Sequence, residues 1–417
     1  MMHRFRALLV SVCLAPALLH AAHAEDTYRI GFIDPLSGPG ATAGEVGLKT
    51  WRFLADQVNA GGGVNGQKIE IVPYDNKLNP QETVIDAQKA IDSGIRLLVR
   101  SNGGAAGVAL NEFLNRFNER NPDKHTIYFD YSGTDPAATN DKCSFWAIRW
   151  PANIDMKVLA LATFLKTRPD TRKLYMINQD YSTGQGVRIA VRADLKVSRP
   201  DVEIVGDELV PLMKITDFAP YIEKIKASGA DSVVTGAWGQ DLALMLKAAG
   251  EAGLKVTWYT FFAQGIGSPQ AIRQSGLGAH TVYQIYEAHA NVPSPEYQAQ
   301  ERKFRAVVGA GQTMMYPGAN TAMTLFVAEA AAQKTLDVTA IMRGLETKRF
   351  TPLSGGEGWI RPEDHQVFQP LYIASFGPLE AGQVFDEENT GWGWRQEGRV
   401  EARDTVLPTT CKMRRPD

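Results

Sequence analysis

At 417 residues the chain is long enough for more than one domain, and its 44% hydrophobic and 22% charged residues are those of an ordinary globular protein. A formal net charge of -2 argues against nucleic acid or an acidic membrane as a partner, since both call for a basic surface.

His3, Arg4 and Arg6 open the chain with a short basic stretch, and Ala7 to Leu19 is mostly apolar. Ala22-His23-Ala24 then places small residues where a signal peptidase reads them. Residues 1–24 therefore read as a cleaved signal peptide, with an exported mature chain beginning at Glu25. The apolar run is shorter than the about 20 residues that span a bilayer. Ser11-Val12 before Cys13 fits a lipidation motif poorly. Cleavage removes Arg4 and Arg6 and no acid, and it leaves two cysteines, Cys143 and Cys411. In an oxidising compartment an even pair favours a disulfide; two free thiols are the alternative.

From Tyr28 the pattern is strand, loop, helix, repeated. Strands are predicted at Tyr28 to Ile33, Lys68 to Pro73, Ile95 to Val99 and Thr126 to Phe129, with helices at 45–59, 80–92 and 105–120 between them. The glycines of Gly61-Gly62-Gly63 end the first helix, and Asn79-Pro80 supplies a cap and a first helical residue for the second. After Arg149-Trp150-Pro151 the alternation resumes. Strands at Lys173 to Ile177, Val202 to Val210, Ser232 to Thr235 and Val256 to Thr260 follow helices at 154–166, 184–195, 217–228 and 241–252. Two successive α/β units of about four strands each imply parallel sheets covered by helices on both faces. Three helical stretches follow, 296–308, 318–334 and 337–345, then an irregular tail with one strand at Leu371 to Phe376. Ligands of such sheets bind beyond the carboxyl ends of the strands. That rule marks the loops after Ile33, Val99, Phe129, Ile177, Thr235 and Thr260 as site candidates.

Leu36-Ser37-Gly38-Pro39 after the first strand is one element of a recognisable ordered set. Asn59 to Gly66 before the second strand is another, as are Asp75 and Asn79-Pro80, Ser132 to Pro136, Arg149 and Ala252-Gly253-Leu254. Behind an export signal, this set resembles the leucine/isoleucine/valine-binding proteins, the periplasmic receptors of branched-chain amino acid ABC importers, over nearly the whole mature chain. The resemblance implies an α/β fold of two doubly wound parallel-sheet lobes joined by three crossover segments, a type I periplasmic binding protein. Lobe one spans 25–149 plus 286–355, and lobe two spans 150–285 plus a tail, 356–417. It further implies a periplasmic monomer that closes on a small amino acid or related small carboxylate in the cleft between the lobes and docks on an ABC importer membrane permease. Neither a cofactor nor a metal is called for.

By the same resemblance the ligand carboxylate meets small polar residues and backbone N–H groups of lobe one, which bind an anion without a buried cation. Ser132 and Thr134 fall on one matching loop, and Ser101, Asn102, Gly103 and Gly104 on the other. Glycine there lets the backbone approach a ligand. Trp238 matches an aromatic that covers the ligand from lobe two. Two departures concern the cargo. Gln264 stands where amino-acid binders place an acid to pair the ligand ammonium, and Ala43 and Thr183 replace two pocket tyrosines. Tyr131, Tyr181 and Phe262 are the aromatic surface left nearby, and Asp180 is the alternative partner for an ammonium. These changes suit a neutral or anionic molecule such as an aromatic carboxylate or an amide. Arg100, at the end of the third strand, either binds a second carboxylate bidentately or forms an ordinary ion pair.

No Gly-x-Ser-x-Gly elbow, P-loop or His-Glu-x-x-His occurs, and the seven histidines are scattered. Catalytic residues are therefore not assigned. Two function classes remain: a transport receptor that closes on its ligand, or a periplasmic sensor that presents the ligand to a membrane signalling receptor.

Overall fold

The computed structural model describes residues 27–416. The first unit runs β1 (Tyr28–Asp34), α1 (Ala41–Ala60), β2 (Ile69–Asp75), α2 (Pro80–Asp92), β3 (Leu97–Arg100), α3 (Gly104–Arg120), β4 (Ile127–Asp130) and β5 (Ala147–Arg149). Its five strands are all parallel, in the order β2-β1-β3-β4-β5. Strands buried on both faces read as near-continuous apolar runs, as Leu97-Leu98-Val99 does. The Asn79 side chain accepts from the Gln81 and Glu82 N–H groups with Pro80 at the first helical position, so α2 begins where the sequence signals it.

The second unit runs α4 (Ile154–Leu165), β6 (Lys173–Gln179), α5 (Ser182–Ser198), β7 (Glu203–Val210), α6 (Ala219–Ser228), β8 (Ser232–Thr235), α7 (Gly239–Glu251), β9 (Thr257–Thr260), α8 (Ser268–Ser275) and β10 (Val282–Tyr286). Helices α9 (Pro295–Val308), α10 (Pro317–Gln333) and α11 (Val338–Leu345) return to the first unit. A small antiparallel sheet of β11 (Arg349–Phe350), β12 (Gly358–Ile360) and β13 (Val367–Phe368) follows, then β14 (Leu371–Pro378) and β15 (Trp392–Val400). The second sheet has seven strands, β15-β14-β10-β9-β8-β6-β7, with β14 antiparallel to β10 and β15 antiparallel to β14. The expected four strands per lobe are thus five and seven. In these two sheets the strands beyond those predicted are β5, of only three residues, β10, whose Val282-Tyr283-Gln284-Ile285-Tyr286 lies in the middle of the second sheet, and β15, which carries Gly and Arg through an edge strand.

One apolar core surrounds the first sheet, and two more cover the faces of the second. The chain passes between them at three crossovers, and the C-terminal tail then returns once more to lobe one. Trp150 and Ala152 lie in different cores, as do Ile285 and Ala288, and Val367 and Phe368. The core of lobe one reaches Ile360 and Val367, beyond the expected limit at 355. The tail, expected with lobe two, ends on lobe one. Thr409 Oγ1 donates to the Thr139 carbonyl, Met413 packs on the first core, and Cys411 is disulfide-bonded to Cys143. No helix among the described residues is long and apolar enough to cross a membrane. The signal-peptide reading of residues 1–24 lies outside the described residues.

Candidate ligand-binding cleft

Between the lobes lies a cavity of about 320 Å³. Its wall is built from loops that follow the carboxyl ends of β3, β4, β6, β8 and β9, as expected for open parallel sheets. Lobe one contributes Ser101, Asn102, Gly103 and Gly104, then Ser132 and Thr134. Lobe two contributes Tyr181, Thr183, Trp238, Phe262 and Gln264. The lobes touch beside the cavity, where an added Cβ on Gly104 would lie 2.6 Å from Ser182 Oγ.

The Ser101 to Gly104 loop is braced from behind. Asp34, at the end of β1, is fully buried and accepts from the Ser101 and Asn102 N–H groups at 3.2 and 2.9 Å and from Ser101 Oγ at 3.0 Å. Burial raises the Asp34 carboxyl above its ordinary value, opposed by the nearby Arg100 and by its hydrogen bonds. Arg100 lies behind the same loop and donates to the Ser101 and Gly103 carbonyls. It does not line the cavity, so the expected ligand-binding role gives way to bracing of this loop, with the Asp34 and Asp130 carboxylates as nearby opposite charges. Gly103 has φ = 83°, a backbone region that favours glycine, and it turns the chain into α3. Asp34 occupies the Ser101 and Asn102 N–H groups. Those of Gly103 and Gly104, at the positive end of the α3 dipole, have no acceptor among the described residues.

Tyr131 is a correction to the expected site. It is buried beneath the cavity, where its hydroxyl donates to Asp34 and its ring packs edge-on against Tyr316. The large ring fills the space under α1 and cannot reach the cavity. Asp180 is a second correction. It is exposed, accepts from Gln185 Nε2 at 2.9 Å and is absent from the cavity wall.

Gln264 is held on two sides. Its Nε2 donates to the Met315 carbonyl at 3.2 Å and its Oε1 accepts from Gln284 Nε2 at 3.1 Å. Thr134 Oγ1 and Thr183 Oγ1 are 3.3 Å apart across the lobes. Ala43 lines the cavity as a small residue, and Tyr316 donates from its hydroxyl to the Ala43 carbonyl. Tyr286, Met315 and Tyr316 also line the wall and were not singled out by sequence. Tyr286 ends an apolar run at a strand's carboxyl end, a signal that was present. Tyr316 precedes Pro317 in a loop and carried none.

Among the described residues, none that lines the cavity carries a carboxylate, an imidazole, a thiol, an ammonium or a guanidinium. No cluster of ligating side chains suited to a metal occurs among the described residues either. The cleft therefore offers aromatic and apolar surface, hydroxyls and amides, and the N–H groups that begin α3. It can hold a carboxylate by dipoles and has no charge with which to neutralise an ammonium.

A family model described as periplasmic binding protein matches residues 27–383. The chain belongs to the periplasmic binding protein family. Its relatives place it in the branched-chain amino acid type. The Leu/Ile/Val-binding protein homolog 4 of Brucella abortus (strain 2308) is 28% identical over 418 residues, 97% of each chain. A solved leucine-, isoleucine-, valine-, threonine- and alanine-binding protein from Brucella ovis, in a closed conformation, matches with a TM-score of 0.81 at 26% identity, covering 94% of this chain and 100% of that one. A solute-binding protein of an ABC transporter from Rhodopseudomonas palustris HaA2, solved with p-hydroxybenzoic acid, matches with a TM-score of 0.76 at 20% identity. That match covers 90% of this chain and 98% of the other, and is a likeness of fold. Periplasmic binding proteins of this type bind small-molecule ligands and work with ABC permeases.

Proposed function

We propose that this periplasmic binding protein is the substrate-binding component of an ABC importer whose cargo is a small aromatic carboxylate. In this reading residues 1–24 direct export, and the mature chain works as a monomer. The observation that carries the cargo is the uncharged cavity wall, with Gln264 in place of an acid. An α-ammonium group shut into such a cavity has no counter-charge, which costs several kcal/mol. A carboxylate meets the Gly103 and Gly104 N–H groups, and an aromatic ring meets Trp238, Tyr181 and Phe262. The Rhodopseudomonas neighbour solved with p-hydroxybenzoic acid supports the same class. The Brucella relative named for leucine, isoleucine and valine favours a second reading, an amino acid whose ammonium rests on backbone carbonyls.

Thermal melts separate the two. The protein is unfolded and refolded to strip bound ligand, then melted with benzoate, 4-hydroxybenzoate, leucine, isoleucine and valine. A ligand at 100 times its Kd stabilises by about 2.7 kcal/mol, a readable rise in Tm. The proposal expects a rise with the aromatic acids and none with the amino acids. A rise with leucine alone transfers the cargo to the second reading. No rise across the panel favours a sensor with another ligand.

A further inference from the structure

The three crossovers are stitched together at three consecutive residues of the first. The Trp150 carbonyl accepts from Gln369 Nε2 at 3.2 Å, and the Pro151 carbonyl from Gln366 Nε2 at 2.8 Å. The Ala152 N–H donates to Glu287 Oε1 at 2.9 Å. Glu287 directly follows Tyr286, which ends β10 and lines the cavity. Its carboxylate is paired with Lys157 of α4, Nζ lying 3.0 Å from one oxygen and 3.1 Å from the other. Both side chains are buried, at 0% and 2% exposure. The same ammonium sits 3.8 Å from the centre of the Tyr286 ring and 6.0 Å from that of Phe262, a second cavity residue.

A buried ion pair is a poor source of net stability, because desolvating two charges offsets their attraction, and apolar pairs of similar volume often fold as well. Its geometry is the informative part. One ammonium is fixed by a crossover carboxylate and lies against the ring that walls the ligand cavity. We infer that Lys157 is a positioning residue of the binding cycle: clamped by Glu287 to the junction of the lobes, it sets the Tyr286 ring, so that the cavity wall and the relative position of the lobes change together. This rests on the cleft being the binding site and is independent of the ligand class.

The test uses the unliganded protein with 3-fluorotyrosine incorporated, the Tyr286 resonance being assigned through Tyr286→Phe. The double variant Lys157→Met with Glu287→Leu removes both charges and keeps the volume. Expected are a Tm within a few degrees of the wild type, a shifted and broadened Tyr286 fluorine resonance, and a small-angle scattering profile with more widely separated lobes. A folded double variant whose resonance and scattering both match the wild type overturns the inference. Should the double variant fail to fold, Glu287→Gln decides. It retains an acceptor for the Ala152 N–H but loosens the ammonium, and an unmoved Tyr286 resonance then overturns the inference. No ligand enters either measurement, so a failure here leaves the cargo to the melting panel.

Discussion

Thr134 and Thr183 face one another across the cleft, their hydroxyl oxygens 3.3 Å apart, one on the loop after β4 and the other in the first turn of α5. Both are buried and both line the cavity, so this contact joins the lobes beside the ligand site. Thr183→Val keeps the shape and leaves the Thr134 hydroxyl without that partner, a loss of about 1 kcal/mol. The expected result is ligand binding weakened about five-fold, mainly through faster release, with the unliganded Tm nearly unchanged. Surface plasmon resonance with whichever ligand raises the wild-type Tm checks it. An unchanged dissociation rate shows that the ligand-bound protein does without the contact.

The Cys143–Cys411 disulfide closes a loop across 268 residues and pins the tail to lobe one. In the unfolded chain a cross-link of that span removes much conformational freedom, and loss of such a bond typically costs about 2–4 kcal/mol. Cys411→Ser is expected to lower the Tm of the unliganded protein and to expose residues near Arg414 to trypsin, since the Arg414 and Arg415 ion pairs lie on the surface and hold weakly alone. Ligand affinity is expected to stay the same, because the tail lies away from the cleft. A tail that stays protected in the variant overturns the prediction.

Much of the architecture was legible because parallel strands buried on both faces carry dense apolar runs and each loop beyond them is punctuated by Gly, Pro or Asn. Strands β1, β3, β8 and β9 and helices α2 and α9 needed little else. Strands β5, β10, β11, β12, β13 and β15 escaped: β5, β11, β12 and β13 have two or three residues, β15 lies at a sheet edge, and β10 is set between β9 and β14 by tertiary pairing rather than by local sequence. At the cavity wall, the family resemblance, on loops that lie beyond strand ends, pointed to Ser101, Ser132, Thr134, Trp238 and Gln264. It named Tyr131 and passed over Tyr316, because only packing sends the one beneath the cavity and the other to its wall. Nor could it find Asp34, whose role depends on a loop 67 residues away in sequence.

Glu387 supplies a pH dependence of stability. Burial pushes its carboxyl up to about 8 from an ordinary 4.5, opposed by the nearby Arg305 and by the hydrogen bond from Thr313. The folded protein thus keeps a proton that the unfolded chain gives up near 4.5. The stability this represents is fully present below pH 4.5 and is lost as pH rises to about 8. Glu387→Gln resembles the protonated form. Its Tm advantage over the wild type is expected to be small at pH 5 and to grow to pH 8.5, and melts across that range show the trend. A difference that is flat with pH sinks the assignment.

His289, in the second crossover, has the opposite sign. Burial holds its imidazole down to about 3 from 6.5, and neither ring nitrogen has a hydrogen-bond partner among the described residues. The folded ring stays neutral while the unfolded one protonates near 6.5, so stability is present above pH 6.5 and lost as pH falls toward 3. His289→Phe keeps a ring against Tyr372 and cannot protonate. The variant is expected to lose less stability than the wild type between pH 6.5 and 4, measured by urea unfolding at each pH. Parallel curves for the two proteins place the acid sensitivity elsewhere.

The sharpest question for the cargo concerns one atom of Gln264. Its Nε2 donates to the Met315 carbonyl, and its Oε1 accepts from Gln284. Gln264→Glu replaces the donor with an oxygen and sets it against that carbonyl, a repulsion relieved only by a proton or by a ligand that brings a cation. It also adds the one full charge the cavity wall lacks. An aromatic carboxylate then meets a like charge in a poorly hydrated site, while an α-ammonium gains a partner. The expected outcome is at least a ten-fold loss of affinity for benzoate-type acids, with a rise in Tm appearing for leucine or isoleucine that the wild type does not show. Calorimetric titration of both ligand classes into both proteins measures the exchange. If the wild type already binds leucine and the variant merely binds it more tightly, the wild-type site accepts an ammonium through backbone carbonyls, and the cavity's neutrality reflects economy of charge rather than an aromatic cargo.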